Sequence, residues 1–264
     1  MMRKMWNGFK IAFSMYSKLP MPKSEWNREN LSYAMIYFPW IGGLIGMITY
    51  GIFLLKGWSA DQGIGVSDIT FTVLMVMVPV LITGGIHMDG FMDTQDALHS
   101  YQSRERRLEI LKDPHAGAFA ILSCAMYFLC YVGIYASLTE RSVKAAAIGF
   151  LLSRTLSGLS VVTFPQSKRD GLAATFAENA AKKKVRIILS GYLIVLCAAI
   201  AAAGREAGIA AIAAAGMVFF YYYKMSLKNF GGITGDLAGY FLQMCEIFMA
   251  AAAVGADILI ENIK

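Results

Sequence analysis

Residues Tyr33–Leu55 read YAMIYFPWIGGLIGMITYGIFLL, a stretch of 23 residues without a charged side chain. A helix needs roughly 20 mostly apolar residues to cross the hydrocarbon core of a membrane. The length and composition of this stretch therefore predict a transmembrane helix. A second uncharged stretch of the same length, Ala116–Leu138, predicts another.

Five further apolar stretches raise the predicted number of transmembrane helices to about seven. They are Ile69–Ile86, Ala145–Phe164, Ile187–Gly204, Ala207–Tyr223 and Leu237–Val254. The whole chain is 57% hydrophobic, with a mean hydropathy of +0.52, whereas soluble proteins are about 45–50% apolar. Because the seven stretches leave little chain for a soluble domain, we expect a single all-α polytopic membrane domain over residues 1–264.

Basic residues are concentrated in alternate connections between these stretches. The N-terminal tail and the loops at about 87–115, 165–186 and 224–236 carry most of the Lys and Arg near the predicted spans. The positive-inside rule assigns such loops to the cytoplasm. We therefore expect a multi-pass protein of the cell (inner) membrane with its N-terminus inside, its C-terminus outside and lipid around it. The net charge of +6 follows from these loops and does not indicate nucleic-acid binding.

A run of carboxylates lies in the first of these loops, where Gly84–Asp96 reads GGIHMDGFMDTQD. If the run is helical, Asp89, Asp93 and Asp96 share one face because they are spaced i, i+4 and i+7. Three such carboxylates repel one another unless a cation lies between them, and Mg²⁺ favours carboxylates together with substrate phosphates. The spacing predicts a Mg²⁺–diphosphate site, with a solvated acidic helix end as the alternative. His87 is a further candidate, although the three histidines lack zinc-ligand spacing.

The same loop continues into a basic segment that ends before the third span. Arg104, Arg107 and Lys112 are candidates to bind phosphate oxygens, since guanidinium groups match phosphate in charge and geometry. The alternative is that these residues set the membrane topology and contact lipid headgroups. Asp113 either completes the metal site or only begins the third span.

The other two polar segments add candidates of a different kind. Arg154 lies within an otherwise apolar span, where a charge is costly and faces a polar cavity or a partner such as Glu246. Arg169 follows in the next predicted cytoplasmic loop and is a weaker candidate.

A glycine-rich segment, Gly231–Asp236, precedes the last span and reads GGITGD. Glycine accepts positive φ and leaves backbone amides open, so Gly231, Gly232 and Thr234 are candidates to surround an anion. Asp236 would add a carboxylate to the metal site.

Together these segments resemble cobalamin synthase, the adenosylcobinamide-GDP ribazoletransferase family, over most of the chain. The matching segments are Lys18–Pro22, Phe38–Gly46, Gly84–Asp96, Arg104–Asp113, Arg154, Arg169–Leu172, Gly231–Asp236, Gly239 and Glu246. The chain departs from the family pattern at Gln95 and at Ala97–Tyr101, which leaves the carboxylates intact and bears on the loop's substrate contacts.

The resemblance implies a Mg²⁺-dependent membrane transferase in the last steps of cobalamin biosynthesis. The 5′-hydroxyl of α-ribazole, or of α-ribazole 5′-phosphate, attacks the cobinamide-side phosphate of adenosylcobinamide-GDP. GMP leaves, and adenosylcobalamin or its 5′-phosphate forms. The expected partners are these small molecules, and the oligomeric state is not predicted.

The reaction implied by the resemblance suggests a role for each carboxylate. We expect Asp89 and Asp93 to hold Mg²⁺ on the diphosphate, with Asp113 or Asp236 completing the metal site. Asp96 is expected to be the general base, although Asp93 is able to exchange roles with it. The guanidinium groups of Arg154 and Arg169 would bind phosphate oxygens of the nucleotide.

Three other functions stay open on the sequence alone. Membrane prenyltransferases use the DxxxD spacing of Asp89 and Asp93, but they require a second such motif that the C-terminal half lacks. CDP-alcohol phosphotransferases also use spaced Asp residues, in an Asp-Gly-x-x-Ala-Arg opening that differs from this one. A transporter would place polar groups at the membrane midplane and contain inverted repeats.

Overall fold

The computed structural model describes residues 2–167, 175–176, 178 and 180–263, and this part of the chain is helical without a β-strand. The helices are α1 (Met2–Tyr16), α2 (Arg28–Leu31), α3 (Ala34–Asp61), α4 (Asp68–Thr83), α5 (Ile86–His99), α6 (Arg104–Ile110), α7 (Ala118–Ala136), α8 (Glu140–Thr163), α9 (Lys182–Phe230) and α10 (Gly235–Ile263). The all-α prediction is confirmed.

Five of the described helices are individually long and apolar enough to cross a membrane. These are α3, α7, α8, α9 and α10. Helices α4 and α5 pass the same test only as a pair, and they are bent by 93° relative to each other. The pair raises the number of candidate spans to six. The chain is therefore a multi-pass membrane protein by the length and composition of its helices.

Helix α9 is interrupted at Arg205, whose φ of 50° and ψ of −125° are not helical. A Cβ atom added to Gly208 would lie 2.1 Å from the backbone oxygen of Ile200. Residues eight apart in a straight helix are separated by about 12 Å along the axis. The chain therefore reverses at Arg205, and α9 consists of two helical segments that pack against each other.

Helix α8 forms the centre of the bundle, since most of its length is buried and it packs on α3, α9 and α10. Its contact with α3 is close because two glycines of α3 face the α8 backbone. A Cβ on Gly42 would lie 2.1 Å from the oxygen of Phe150, and one on Gly46 would lie 2.1 Å from the oxygen of Ala147. Small residues four apart allow helix backbones to approach in this way in membranes.

A sharp turn between α4 and α5 directs the polar helix α5 away from the apolar α4. Gly84 and Gly85 both have positive φ, 66° and 81°, a conformation that glycine adopts without strain. Helix α5 then packs along the start of α10 through two other glycines. A Cβ on Gly90 would meet the Asp236 backbone at 2.7 Å, and one on Gly239 would meet the His87 oxygen at 2.9 Å.

Candidate active site

The carboxylates of α5 lie on a helix, as their spacing predicts. Asp89 is exposed, whereas Asp93 and Asp96 are partly buried. Burial, followed by the charges of Asp89, Asp236, Asp96 and Asp113, raises the pKa of Asp93 from 3.8 to about 7. The fold therefore gathers the carboxylates of three separate chain segments around Asp93.

Asp236 comes to this group through the contact between α5 and α10. It lies in the first turn of α10, and the Gly90 position on α5 leaves room for its backbone. Thr234 precedes the helix, and its hydroxyl oxygen accepts a hydrogen bond from the Leu237 amide at 3.2 Å. The Thr234 hydroxyl also lies 3.5 Å from a carboxylate oxygen of Asp236. Thr234 thus caps α10.

Asp96 holds the start of α7. One of its carboxylate oxygens accepts a hydrogen bond from the Gly117 amide at 2.6 Å, and the other accepts one from the Ala120 amide at 2.9 Å. These two donors belong to the first turn of α7, whose amides lack partners within the helix. Asp96 therefore anchors α7 to α5, a role that the sequence did not indicate.

Asp113 lies at the exposed edge of the cluster. Its Oδ1 atom accepts a hydrogen bond from the His115 amide at 3.0 Å and lies 2.8 Å from His115 Nδ1. These bonds hold the pKa of Asp113 below its usual value. The charge of Asp113 is the last of those that raise the pKa of Asp93, so this carboxylate is a peripheral member of the group.

The glycine-rich loop between α9 and α10 is held by its own backbone amides. Gly231 donates to the Leu227 oxygen, Gly232 to the Ser226 oxygen and Ile233 to the Pro165 oxygen. The expectation that open amides of Gly231 and Gly232 surround an anion is therefore not supported by this geometry. Their positive φ values, 72° and 155°, instead let the chain turn between the two helices.

Basic side chains of α6 contact this same loop. A Cβ on Gly231 would lie 1.9 Å from the guanidinium carbon of Arg104, so the guanidinium lies directly over the glycine. Arg107 Nη1 donates a hydrogen bond to Asn229 Oδ1, and Arg107 Nε is buried without a partner in the described part of the chain. Lys112 is exposed beyond the end of α6.

The loop after α8 meets the same glycine-rich turn. The Ser167 amide donates to the Ile233 oxygen at 3.0 Å, and the Ser167 hydroxyl donates to the Phe230 oxygen at 2.6 Å. All three polar segments of the sequence thus converge. Arg169, which follows in this loop, lies outside the described residues.

Arg154 and Glu246 form an ion pair inside the bundle, with Arg154 Nη1 2.6 Å from Glu246 Oε1. Arg154 also donates to the Phe150 oxygen at 3.0 Å, and Ser153 donates to Glu246 at 2.9 Å. Both charged side chains are almost completely buried. An ion pair with Glu246 was the alternative to phosphate binding by Arg154, and the structure contains that pair. Neither residue lines either of the two cavities that adjoin Asp89.

Two cavities adjoin Asp89. An enclosed cavity of about 260 Å³ is lined by residues of α1, α3, α5, α8 and α10, including Asp89, Asp236 and His87. An open groove of about 620 Å³ lies on another side of Asp89 and includes Lys18. A Cβ on Gly84 would lie 2.1 Å from the Lys18 side chain. Lys18 was missed as a site residue, although it belongs to a segment that carries the family resemblance.

His87 is buried, and neither ring nitrogen has a partner in the described part of the chain. Burial, and then the charge of Arg154, lower its pKa well below the usual value. The imidazole is therefore neutral near pH 7. It lies beside the rings of Tyr16 and Phe38, which contact each other.

The donor chemistry of this site suits Mg²⁺. No group of three or more His, Cys, Asp or Glu side chains is arranged to hold a metal ion by itself in the described ranges. Mg²⁺ usually takes only one or two protein carboxylates and completes its coordination with water and substrate phosphates. Asp89 and Asp236, which line the same cavity, meet that requirement.

Proteins of similar sequence identify the family of this chain. The sequence profile of the family described as Cobalamin-5-phosphate synthase matches residues 8–254. The chain is 45% identical to the adenosylcobinamide-GDP ribazoletransferase of Lachnoclostridium phytofermentans, over 95% of this chain and 94% of that protein. It is 32% identical to the protein of the same name from Clostridium perfringens strain SM101, over 93% of this chain and 96% of that one.

No solved structure matches the chain. The profile and the relatives each cover nearly its whole length, including α5, α6, α8 and the loop before α10. The chain therefore belongs to the cobalamin-5-phosphate synthase family.

Proposed function

We propose that the protein is an adenosylcobinamide-GDP ribazoletransferase, which joins α-ribazole or its 5′-phosphate to adenosylcobinamide-GDP and releases GMP. The family and the names of the relatives support this activity. The observation that carries it is the set of carboxylates around Asp93, because such a set suits a cation bound to a diphosphate. Nothing comparable favours the prenyltransferase, CDP-alcohol phosphotransferase or transporter alternatives.

Asp89 and Asp236 would hold Mg²⁺ together with the diphosphate of the donor. They come from two helices, line one cavity and belong to a crowded group of carboxylates. When bound, Mg²⁺ would neutralise phosphate charge and orient the diphosphate. Asp93 is an alternative ligand, and Asp113 is a more distant one.

Asp93 is a better candidate for the general base than Asp96, which was the residue expected from the sequence. Both oxygens of Asp96 already accept backbone hydrogen bonds from α7. Asp93 lies one helical turn from Asp89 and is half-buried beside the proposed metal ligands. A base must reach the hydroxyl whose proton it accepts, so a carboxylate without such an anchoring role suits the task better.

Arg104 and Arg107 are the best-supported phosphate ligands among the basic candidates. Arg104 lies over the first glycine of the glycine-rich loop, and Arg107 bonds to Asn229 at the end of α9. A guanidinium group can bind two phosphate oxygens at once. Lys112 and Arg169 remain candidates on the strength of the sequence alone.

The proposed reaction transfers one phosphoryl group. The 5′-oxygen of the nucleoside forms a bond to the cobinamide-side phosphorus, while the bond from that phosphorus to the bridging oxygen of GMP breaks. The hydroxyl proton passes to the Asp93 carboxylate, and GMP departs with the electrons of the broken bond as a phosphate anion. The task of the protein is chiefly to position these groups and to balance their charge.

The proposed topology has seven spans, with the N-terminus and the active site on the cytoplasmic side of the cell (inner) membrane and the C-terminus outside. The reversal at Arg205 supports seven, because it divides the 49 residues of α9 into two segments that are each long enough to cross a membrane. The distribution of basic residues supports the orientation.

The activity is tested by incubating the purified protein with adenosylcobinamide-GDP, α-ribazole and Mg²⁺, and by separating the corrinoids by chromatography. We expect adenosylcobalamin and one GMP for each product molecule, with α-ribazole 5′-phosphate tested in parallel as the acceptor. A chelator is expected to stop the reaction. The absence of product with either acceptor, from protein that is well folded, would contradict the assignment.

A further inference from the structure

The enclosed cavity beside Asp89 has the size and lining of a small-molecule site. Its volume of about 260 Å³ is slightly below the roughly 300–1,000 Å³ typical of such sites, which suits a small ligand. Tyr16 and Phe38 supply aromatic surface from α1 and α3, while Ser157 lines the cavity from α8. Asp89 and Asp236 also line it, which connects it to the proposed metal site.

The hydrogen-bonding groups of His87 in this cavity have no partner within the described part of the protein. Its side chain lines the cavity and is 95% buried, and both ring nitrogens lack partners among the described residues. Burying a polar group without a hydrogen bond costs about 1–3 kcal/mol. The two ring nitrogens are therefore available for hydrogen bonds with a ligand in the cavity. The position of the residue is constrained, because its backbone packs on Gly239 of α10.

We propose that this cavity binds the nucleoside acceptor and that the imidazole of His87 forms hydrogen bonds with it. The inference rests on the proposed function and extends it by assigning one of the two substrates to a subsite. The rings of Tyr16 and Phe38 provide apolar aromatic surface for the heterocyclic base. The 5′-hydroxyl then approaches the phosphorus from the side of Asp89 and Asp236.

The donor substrate is assigned to the open groove by exclusion and by reaction geometry. A corrinoid with an attached GDP is too large for a cavity of about 260 Å³. The open groove is more than twice that volume, and it shares Ile86 and Asp89 with the enclosed cavity. Phosphoryl transfer requires the attacking and leaving oxygens to lie roughly in line. Two cavities that share Asp89 would bring acceptor and donor to the proposed metal ion from different sides.

The test compares His87→Phe with wild type in binding and in kinetics. Phenylalanine keeps an aromatic ring in the cavity wall and removes both nitrogens. We expect the affinity for α-ribazole, measured calorimetrically with Mg²⁺ and without donor, to fall about tenfold or more. The KM for α-ribazole should rise by a similar factor, while the KM for adenosylcobinamide-GDP stays unchanged. His99→Phe is the matched control, since His99 lies on the same helix and its Nδ1 already contacts the Gln95 oxygen at 2.8 Å.

A second variant keeps the test decisive if His87→Phe does not fold. Ser157→Val reduces the cavity from the opposite helix and should also weaken α-ribazole binding selectively. If the variants make product and bind α-ribazole as the wild type does, the subsite assignment is wrong and the proposed function stands. If folded wild-type protein neither binds α-ribazole nor forms cobalamin, the proposed function fails, and this inference fails with it.

Discussion

At the scale of single residues, the proposed chemistry depends on the difference between Asp93 and Asp96. The two carboxylates lie on one helix, three residues apart, and their spacing alone predicts the same face for both. The structure gives Asp96 two amide partners on α7 and surrounds Asp93 with other carboxylates. One residue therefore stabilises the fold, and the other is in a position to do chemistry.

Substitution by asparagine should distinguish the two roles. We expect Asp93→Asn to lower turnover at least about a hundredfold, because general-base catalysis is typically worth 10²–10⁴-fold. Asp96→Asn keeps one acceptor oxygen and should retain most of the activity while it lowers stability by about 1 kcal/mol. Turnover and thermal denaturation of both purified variants provide the measurements. The reverse pattern would restore Asp96 as the base.

The raised pKa of Asp93 predicts how stability depends on pH in the absence of divalent cations. Between pH 3.8 and about 7, the folded protein keeps a proton on Asp93 that the unfolded chain has lost. The folded state therefore binds more protons, so stability falls as pH rises through this window and is constant above it. The melting temperature of wild type minus that of Asp93→Asn, measured with a chelator, should fall over the same window. A difference that rises with pH would contradict the assignment.

At the scale of helices, the site depends on close contacts between backbones. Gly90 lets α5 approach the start of α10, and this contact brings Asp236 to Asp89. A side chain there would push the two helices apart by at least several tenths of an ångström. Active-site geometry tolerates little displacement of this kind.

Gly90→Ala should therefore reduce activity strongly without unfolding the protein. We expect a loss of at least about tenfold in turnover, since small displacements of catalytic groups are costly. Gly133→Ala on α7 is the control, because a Cβ there would meet no atom within 4 Å. Equal activities of the two variants would show that the contact between α5 and α10 does not position the site.

The buried ion pair of Arg154 and Glu246 is a second contact between helices, and it joins α8 to α10. Removing one partner leaves a buried charge unpaired, which typically costs about 3–5 kcal/mol. We expect Arg154→Met and Glu246→Met to lower the melting temperature strongly when made singly and much less when combined. If Arg154 binds phosphate instead, Arg154→Met would raise the KM for the donor and the double variant would not recover activity.

Helical spacing made part of the site predictable from the sequence. The common face of Asp89, Asp93 and Asp96 follows from the period of a helix, and α5 has that form. The amide partners of Asp96 were not predictable, because they lie 21 and 24 residues further along the chain, at the start of α7. The bond from the Ile233 amide was also hidden, since Pro165 reaches that loop only through tertiary packing, whereas the amides of the first two glycines bond to carbonyls at the end of α9 itself.

At the scale of the whole molecule, the fold assembles three distant polar segments at one end of an apolar bundle. Hydropathy predicted the helical membrane class and the approximate positions of the spans. The reversal in α9 at Arg205 lies between the predicted stretches Ile187–Gly204 and Ala207–Tyr223, so hydropathy divides this region where the backbone does. Convergence of the polar segments depends on tertiary contacts that hydropathy does not encode.

The proposed orientation predicts which residues are accessible from each side of the membrane. We expect a cysteine at Glu206 to react with an impermeant thiol reagent added outside intact cells. A cysteine at Glu109 on α6 should react only after the membrane is permeabilised. Both variants would be made in a background without the four native cysteines. Labelling of Glu109→Cys in intact cells would reverse the proposed orientation.

The proposed function requires that carboxylates from two helices, Asp89 on α5 and Asp236 on α10, hold one Mg²⁺ ion for phosphoryl transfer. The most direct test measures GMP release from adenosylcobinamide-GDP and α-ribazole against Mg²⁺ concentration. We expect Asp89→Asn and Asp236→Asn each to raise the Mg²⁺ requirement at least about tenfold, whereas Asp68→Asn at the start of α4 leaves it unchanged. GMP release by wild type that is independent of divalent cations, or variants with the wild-type Mg²⁺ requirement, would contradict the claim.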